Sequence, residues 1–366
     1  MKLHFSSEPT LAQWADWRWQ VANAIRTLDD LAAAVGLPSH EVEARRAAAK
    51  RYPVFTTPYY LSLAQSPSVD DPIIRQVLPD ALEVDAEAQR GGDPDALDEI
   101  RCSPVPRLIH RYPDRAVLIT GNLCAVHCRH CLRKRDWSVP LAAPTDAELD
   151  AICSYLTERQ EVREILVSGG DPLMLPEEAL TKIVARLSAI PSIDVLRFGT
   201  RVPVALPQKV SPRLASILGS GKTAWVATHF NHSAELTPQV AEAVRILLRY
   251  WIPVVNQSVL LKGVNDDAAV LGKLFTDLLK WRIKPYYLFH GDPIEGAMHF
   301  RTGVEAGLAL MDQLRGRVSG LALPAFAFDL PHGAGKIRLQ PERQTGEAAD
   351  GTPLYTSYKG EQIAYR

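Results

Sequence analysis

Three of the five cysteines lie close together in the sequence, as Cys124, Cys128 and Cys131. Thiols at positions i, i+4 and i+7 can converge on one centre if the backbone loops around it, and thiolates are the usual ligands of iron–sulfur clusters. Three cysteines leave one iron of a four-iron cluster without a protein ligand. This spacing therefore predicts an iron–sulfur cluster with one open coordination position.

A structural zinc site is the main alternative for these cysteines, completed by His127 or His130. Unrelated buried thiols are a second alternative. Zinc sites usually combine two pairs of ligands that lie far apart in the sequence, and the sequence has no second pair of this kind. The spacing favours the cluster.

A glycine-rich turn, Ser168-Gly169-Gly170-Asp171, follows a predicted strand. Glycines let a backbone approach a ligand closely, and exposed amides in such a turn can bind polar groups. Glycine turns after strands are common, so this turn alone does not indicate a binding site. It indicates one only together with the segment of residues 124–135, here called the cysteine loop, which lies one strand–helix unit earlier.

A second small-residue loop, Gly333-Ala334-Gly335-Lys336, follows an apolar run over residues 321–328. A lysine amine can form a Schiff base with an aldehyde cofactor, and the amides of such a loop can hold a phosphate group. Pyridoxal phosphate needs this combination. The alternative is a solvated lysine after an ordinary turn, which spacing alone favours.

The elements that must position these residues alternate from residue 115 onward between short apolar runs and longer amphipathic segments. Six such units in sequence predict parallel strands with right-handed crossovers, in a doubly wound sheet or a barrel. The predicted strands are Ala116–Thr120, Glu164–Ser168, Asp194–Thr200, Thr223–His229, Pro253–Val259 and Lys284–His290. The predicted helices between them include Asp146–Gln160, Glu177–Ile190, Thr237–Trp251 and Ala268–Lys280.

The conspicuous polar residues lie at the C-terminal ends of these strands. Active sites of β/α barrels lie at that face, so the residues are expected to share one pocket. After the cysteine loop and the glycine turn, they are Arg201, His229-Phe-Asn231-His232, Asn256-Gln257-Ser258 and His290-Gly-Asp292.

Residues 1–100 are predicted to form a helical region, with helices near Leu28–Val35 and His40–Ala49. Residues 101–340 are expected to form the barrel, and residues 341–366 a short C-terminal tail. Such a helical region is expected to pack on the core or on another subunit.

The composition is that of a globular protein, with 46% hydrophobic and 23% charged residues in 366. The formal net charge of −1 gives no reason to expect nucleic acid or an anionic membrane as a partner. Residues 1–8 lack the apolar core of a signal peptide, and no apolar run is long enough to span a bilayer. The cysteines do not form a disulfide framework, so the cytoplasm is the expected location.

Taken together, the motifs resemble the lysine 2,3-aminomutase family of radical S-adenosylmethionine enzymes, from about Trp14 to Lys336. The cysteine spacing by itself is similar to that of radical S-adenosylmethionine enzymes. Besides the cysteine loop, the glycine turn and the lysine loop, the matching motifs are Ser103-Pro-Val-Pro, His110-Arg111-Tyr112-Pro-Asp114-Arg115, Asn256-Gln257-Ser258-Val-Leu-Leu, Asn265-Asp266, Tyr286-Tyr287 and His299-Phe300-Arg301-Thr302.

The resemblance implies an α/β fold, a partial (β/α)6 barrel that binds a [4Fe-4S] cluster, S-adenosylmethionine and pyridoxal phosphate. Cys124, Cys128 and Cys131 would hold the cluster, and Lys336 would bind the pyridoxal aldehyde. Arg133 would pair with the substrate α-carboxylate, and Asp292 and Asp329 would receive the distal ammonium of lysine. The other cofactor contacts implied are Arg111, Tyr112, Arg115, Ser168, Gly169, Gly170, Asp171, His229, Gln257, Gly333 and Gly335.

The implied reaction converts L-lysine to β-lysine by migration of the amino group from C2 to C3. Arginine is an alternative substrate, because its guanidinium also suits two carboxylates. A related aminomutase that supplies β-lysine to a translation elongation factor is a second alternative, and a zinc-stabilised binding scaffold is a non-enzymatic one. A flavodoxin or ferredoxin is the expected electron donor, and a homo-oligomer is expected.

The sequence departs from the family pattern in two places. His332 and Ala334 interrupt a loop that is all glycine in the family, which weakens the phosphate prediction. No cysteine follows Cys153, so the zinc site that some relatives build from later cysteines is not expected.

Overall fold

The main sheet of the protein contains nine strands in consecutive order. The computed structural model describes residues 8–365, so the N-terminal segment used to exclude a signal peptide lies almost wholly outside the described residues. The strands are β1 (Leu108–Tyr112), β2 (Arg115–Ile119), β3 (Glu164–Ser168), β4 (Val195–Gly199), β5 (Thr223–Thr228), β6 (Val254–Leu260), β7 (Ile283–His290), β8 (Ala325–Leu330) and β9 (Gly335–Leu339).

Strands β2 to β8 are parallel, and β1 and β9 pair antiparallel at the two edges. All six predicted strands are confirmed, each within one residue of its predicted ends. The prediction of six parallel strands was nevertheless incomplete, because β8 is a seventh. The result is a nearly closed barrel-like sheet whose first and last strands are edges.

Burial alternates along the strands with a period of two, as expected when the two faces of a sheet meet different surroundings. In β3, Ile165 and Val167 are fully buried, whereas their neighbours are partly exposed. The buried set belongs to the same apolar core as the inner faces of the helices, such as Leu180 and Ile183. The helices therefore cover one face of the sheet, and the other face lines the barrel interior.

The helices that connect these strands agree with the predicted segments. The helix predicted over Ala268–Lys280 has those bounds, and the other three begin within one residue of prediction and end two or three residues early. All the α-helices between β2 and β8, including those not predicted, are α6 (Asp146–Thr157), α7 (Glu177–Ser188), α8 (Val202–Ala205), α9 (Pro212–Leu218), α10 (Pro238–Arg249), α11 (Ala268–Lys280) and α12 (Val304–Leu314).

The N-terminal region begins with five helices: α1 (Leu11–Ala15), α2 (Trp17–Ala22), α3 (Leu28–Val35), α4 (Ser39–Arg51) and α5 (Pro58–Ser62). Helix α3 is capped at its N-terminus by Thr27, whose hydroxyl accepts from the Asp30 amide, and at its C-terminus by Gly36, whose φ of +73° suits glycine. Turns and two 3₁₀ helices, Ile74–Gln76 and Ala81–Glu83, continue the chain towards β1.

Three buried charges join this region to the loop between β2 and α6. The Arg129 guanidinium donates to the Glu83 carboxylate, with an Nε–Oε1 distance of 2.8 Å. Lys134 Nζ lies 3.0 Å from the same carboxylate, and all three side chains are fully buried. Lys134 also donates to the carbonyl of Gly296, so the cluster ties three distant segments together.

Residues after 340, predicted only as a tail, contain a small antiparallel sheet of β10 (Gln344–Glu347), β11 (Pro353–Thr356) and β12 (Gln362–Ala364). Tyr358 packs against Gly316, where a Cβ atom would lie 2.5 Å from the tyrosine side chain. Within the described residues, we find no helix with the length and apolarity needed to cross a membrane.

The buried charges give a stability prediction. Glu83→Gln leaves Arg129 and Lys134 facing a neutral amide in a site without solvent, which should lower the free energy of unfolding by about 3–5 kcal/mol. Urea unfolding measures this change. Glu87→Gln is the control, because its ion pair with Arg90 is exposed and is expected to contribute almost nothing. Equal urea concentrations at the midpoint of unfolding for Glu83→Gln and Glu87→Gln would contradict the prediction.

Candidate active site

The cysteine loop follows β2 and is held from outside by the N-terminal region. Val126 forms a backbone bridge with Thr56, the His127 amide donates to Phe55, and the Arg129 amide donates to Gln76. A second turn is closed where the Cys131 amide donates to the Cys128 carbonyl. These bonds bend the loop so that its three cysteines face one another.

The three thiols are close enough to perturb one another. Burial, followed by Asp171 and the other two thiols, raises the pKa of Cys124 well above its usual value. Burial and the neighbouring Cys128 raise the pKa of Cys131 to about 11. Gathering three thiolates here is unfavourable without a positively charged partner, which an iron–sulfur cluster supplies.

Hydrogen-bond donors already point at two of the sulfurs. Arg201 Nη1 lies 2.8 Å from Cys128 Sγ, and the Arg133 amide lies 3.4 Å from Cys131 Sγ. Donors to cysteine sulfur are typical surroundings of bound clusters. The donor set therefore fits an iron–sulfur cluster.

The predicted zinc alternative finds no support in this geometry. Across residues 8–365, no three cysteine, histidine, aspartate or glutamate side chains are arranged to share one metal ion. His127 instead stacks on Trp137 and bonds the Pro53 carbonyl, and His130 contacts Asn231. A cluster is larger than one ion, so its cysteines can stand farther apart.

The two glycines of the turn after β3 make room for the cysteine loop. A Cβ atom at Gly169 would lie 2.6 Å from the Gly121 carbonyl oxygen, and one at Gly170 would lie 2.5 Å from the Asn122 carbonyl carbon. The Gly170 amide donates to Gly121. The two glycines therefore allow the backbone of the cysteine loop to approach closely, and the cofactor contact implied for them stays a prediction.

The side chain of Asp171 joins the ends of two neighbouring strands. Its carboxylate accepts from Thr200 Oγ1 at 2.6 Å and from the amides of Leu173, Arg201 and Val202. Four donors use the four lone-pair sites of a carboxylate. Asp171 therefore fixes the end of β3 to the segment after β4, and the cofactor contact implied for this residue stays a prediction.

His229 lies between the cysteine loop and Lys336. Its side chain bonds the backbone of Gln257, and burial lowers its pKa to about 4, so the imidazole is neutral at pH 7. Both Arg201 and Lys336 are near enough to lower that pKa further. His229 is therefore near both Lys336 and Arg201, and Arg201 itself contacts Cys128 of the cysteine loop.

Side chains of β1 and β9 close the gap between the two edges of the sheet. The Lys336 amide donates to the Tyr112 hydroxyl at 2.7 Å. Arg111 Nη2 donates to Asp329 Oδ1 at 2.8 Å, which links β1 to β8. We call this set of contacts the seam. It unites residues that are more than 200 positions apart in the sequence.

Lys336 projects into a largely apolar environment. Its Nζ atom lies 4.1 Å from the ring centre of Phe289, 5.1 Å from that of Tyr287 and 3.5 Å from Asp329 Oδ2. Burial lowers the pKa of Lys336 below its usual value despite the nearby acids. A lysine with a lowered pKa is a better nucleophile towards an aldehyde, so this environment fits pyridoxal phosphate.

The loop before Lys336 has cations beside it, as a phosphate site requires. Gly333 and Gly335 have φ angles of +69° and +96°, and a Cβ at Gly335 would lie 3.4 Å from the Tyr112 ring. Arg115 lies 3.8 Å over the same ring. His332 itself adopts a φ of +56°, so the non-glycine residue keeps the left-handed turn of a glycine.

The two acids predicted to bind a distal ammonium lie beside Lys336. Asp329 is opposite Lys336 in the register of β8 and β9 and is already paired with Arg111. Burial, and then the charge of Asp329, raises the pKa of Asp292 to about 7. Asp292 is therefore a carboxyl group whose ionisation a bound cation would favour.

Arg133 has a partner that the sequence analysis missed. Its Nε and Nη2 atoms donate to the Glu99 carboxylate at 3.1 and 2.6 Å, and Nη1 lies 3.5 Å from Ser168 Oγ. The Glu99 carboxylate accepts from Nε and Nη2, which form one edge of the guanidinium. The other edge, formed by Nη1 and Nη2, can still receive a second carboxylate. No sequence signal marked Glu99, which lies at the end of the region predicted to be helical.

Comparison with known proteins gives two family matches. Residues 118–271 match the Radical SAM superfamily, and residues 311–364 match a family described as Lysine-2,3-aminomutase.

Curated relatives match almost the whole chain. The L-lysine 2,3-aminomutase of Clostridium subterminale is 40% identical, over 93% of this chain and 81% of its own length. The enzyme of the same name from Bacillus subtilis is 40% identical, over 96% and 74% respectively. The glutamate 2,3-aminomutase of Clostridioides difficile is 35% identical, over 97% and 83%.

The packing of the glycine turn predicts how the site can be broken. Gly170→Ala places a methyl group against the Asn122 backbone, which cannot move without displacing the cysteine loop, so cluster binding should be lost. Iron and sulfide per protein after anaerobic reconstitution measure this. Gly320→Ala is the control, because nothing lies within 4 Å of its added Cβ. Full iron content in Gly170→Ala would count against this account of the turn.

Proposed function

Because this chain belongs to the lysine 2,3-aminomutase family of radical S-adenosylmethionine enzymes, we propose that it converts L-lysine to β-lysine with the help of pyridoxal phosphate. The chain is an isomerase, and its family uses S-adenosylmethionine and an iron–sulfur cluster. The non-enzymatic scaffold considered from the sequence is therefore wrong.

The cofactor roles follow the residues described above. Cys124, Cys128 and Cys131 would hold the cluster, and Lys336 would hold the pyridoxal aldehyde. When bound, the cluster together with S-adenosylmethionine would supply a hydrogen-abstracting 5′-deoxyadenosyl radical, and pyridoxal phosphate would supply an electron-delocalising ring for the 1,2 migration of the amino group. Arg111, Arg115 and Tyr112, together with the loop of Gly333 and Gly335, provide the charges and amides for the phosphate.

The protein contributes orientation and exclusion of water. The seam keeps Lys336 at a fixed place, because its amide is bonded to Tyr112 and its amine faces Asp329. The free edge of Arg133 would receive the substrate α-carboxylate, with Glu99 holding the guanidinium from the other side. Binding a substrate at both ends fixes the hydrogen to be abstracted in one position.

The proposal that L-lysine is the substrate rests on the pair of carboxylates beside Lys336. Burial and the neighbouring charge of Asp329 raise the pKa of Asp292 to about 7, so its carboxylate is only partly compensated by the cations around it. A substrate with a terminal ammonium supplies further positive charge, whereas the side chain of glutamate would add a third carboxylate. A buried unpaired charge is costly, so the pocket selects for cations.

Product analysis tests this proposal. Anaerobic protein with reductant, S-adenosylmethionine and pyridoxal phosphate is incubated separately with L-lysine, L-arginine and L-glutamate. β-Lysine should form from lysine alone, and Lys336→Ala should lose both turnover and the visible absorbance of bound pyridoxal phosphate. β-Arginine as the main product would overturn the substrate, and full activity of Lys336→Ala would overturn the role of pyridoxal phosphate.

The raised pKa of Asp292 predicts a pH dependence. Below about pH 7 the carboxyl group of the free enzyme is increasingly protonated, so the KM for lysine should rise as the pH falls, by up to about tenfold per unit. Above pH 7 the carboxylate is ionised and the KM should level off. In Asp292→Asn the KM should be high throughout this range. If the KM for lysine changed with pH in the same way in the parent protein and in Asp292→Asn, Asp292 would not be the residue that receives the ammonium.

A further inference from the structure

Arg201 occupies a buried position beneath the cysteine loop. It follows β4 and precedes α8, and only 7% of its side chain is exposed. From the sequence alone, Arg201 is only one of several polar residues at strand ends. Its contacts give it a more specific place, because they connect a cysteine sulfur to the N-terminal region.

Each nitrogen of the Arg201 guanidinium has a partner. Nη1 donates to Cys128 Sγ at 2.8 Å, and Nε donates to the His229 carbonyl at 3.2 Å. Nη2 donates to the Tyr60 hydroxyl at 2.8 Å, and its remaining partners are the Gln76 amide oxygen at 2.7 Å and the Glu235 carboxylate. The ring of contacts leaves the guanidinium little freedom to move away from the sulfur.

Glu235 balances the charge of Arg201. Its side chain is fully buried, and its second oxygen accepts from the amides of Asn231 and His232. Tyr60 also donates to the Glu235 carboxylate, at 2.7 Å. The carboxylate is therefore fixed on the side of Arg201 away from Cys128, where it offsets part of the positive charge that reaches the sulfur.

A donor and a positive charge at a cluster ligand have a known physical effect. Reduction by one electron makes a cluster more negative, so a nearby cation and a hydrogen bond to its sulfur stabilise the reduced form. The effect is strong where solvent is excluded, because the local dielectric constant is low.

We propose that Arg201 is a positioning residue that raises the reduction potential of the cluster through Cys128, and that Glu235 limits the size of this effect. This inference rests on the cluster assignment in the proposed function. Through Tyr60 and Gln76, the N-terminal region also contributes to the electronic properties of the cluster.

Two substitutions test the proposal in opposite directions. In Arg201→Lys, a single ammonium cannot reach both Cys128 and the partners of Nη2, so the midpoint potential should become more negative. In Glu235→Gln, the charge of Arg201 is no longer offset, so the potential should become more positive. The potentials are read from the electron paramagnetic resonance signal of the reduced cluster during anaerobic titration with dithionite.

A matched control separates this effect from a general loss of packing. Tyr59→Phe removes a buried hydroxyl from α5, the helix that also contains Tyr60. The Tyr59 hydroxyl bonds Thr237 and not Arg201. The potential of this variant should equal that of the parent protein. Because potentials are measured on the protein that holds a cluster, partial loss of iron in one variant does not obscure the result.

The outcomes distinguish this inference from the proposed function. A parent protein that binds no iron and sulfide after reconstitution would remove the cluster assignment. A parent protein with a cluster, together with unchanged potentials in both Arg201→Lys and Glu235→Gln, would overturn the role of Arg201 alone. Shifts of both variants in the same direction would also overturn it, because the two charges are of opposite sign.

Discussion

The site depends on the meeting of the two edges of the main sheet. A sheet edge normally exposes unpaired backbone groups, and here β1 and β9 bring side chains to the gap instead. Tyr112, Arg111, Asp329 and Lys336 are linked across it by hydrogen bonds and ion pairs. Because the first and last strands meet only when the whole sheet has formed, Lys336 reaches its position only in the complete fold.

Three buried pairs of arginine and glutamate surround the cysteine loop. Arg129 pairs with Glu83, Arg133 with Glu99, and Arg201 with Glu235. Buried ion pairs contribute little net stability, because removing two charges from water costs about as much as their attraction returns. Their value here is geometric. Each glutamate comes from a different segment and fixes one arginine at a set angle to the loop.

The strands and the connecting helices were predictable, because hydrophobic periodicity is a local signal. The cysteine loop and Lys336 were also recognisable, since each has a short, specific pattern. The seventh parallel strand was missed because helix α12, which precedes it, was not predicted, so the apolar run before Asp329 was not counted as part of another helix–strand unit. Glu83, Glu99 and Glu235 were missed for another reason. An isolated glutamate in a polar segment looks solvated, and only the fold shows that it is buried against an arginine.

Asp171 shows that a residue of a ligand-binding motif can also hold the fold together. Its position after two glycines predicts a ligand contact, and its side chain makes four hydrogen bonds that join one strand end to the next. Asp292 and Asp329 differ from each other in how far neighbouring cations compensate their charges. Asp329 is neutralised by Arg111 and Lys336 in the folded protein, whereas the cost of burying Asp292 is only partly offset. Under the proposed function, lysine relieves that remaining cost, so the selectivity of the pocket arises mainly from the acid that the fold leaves incompletely paired.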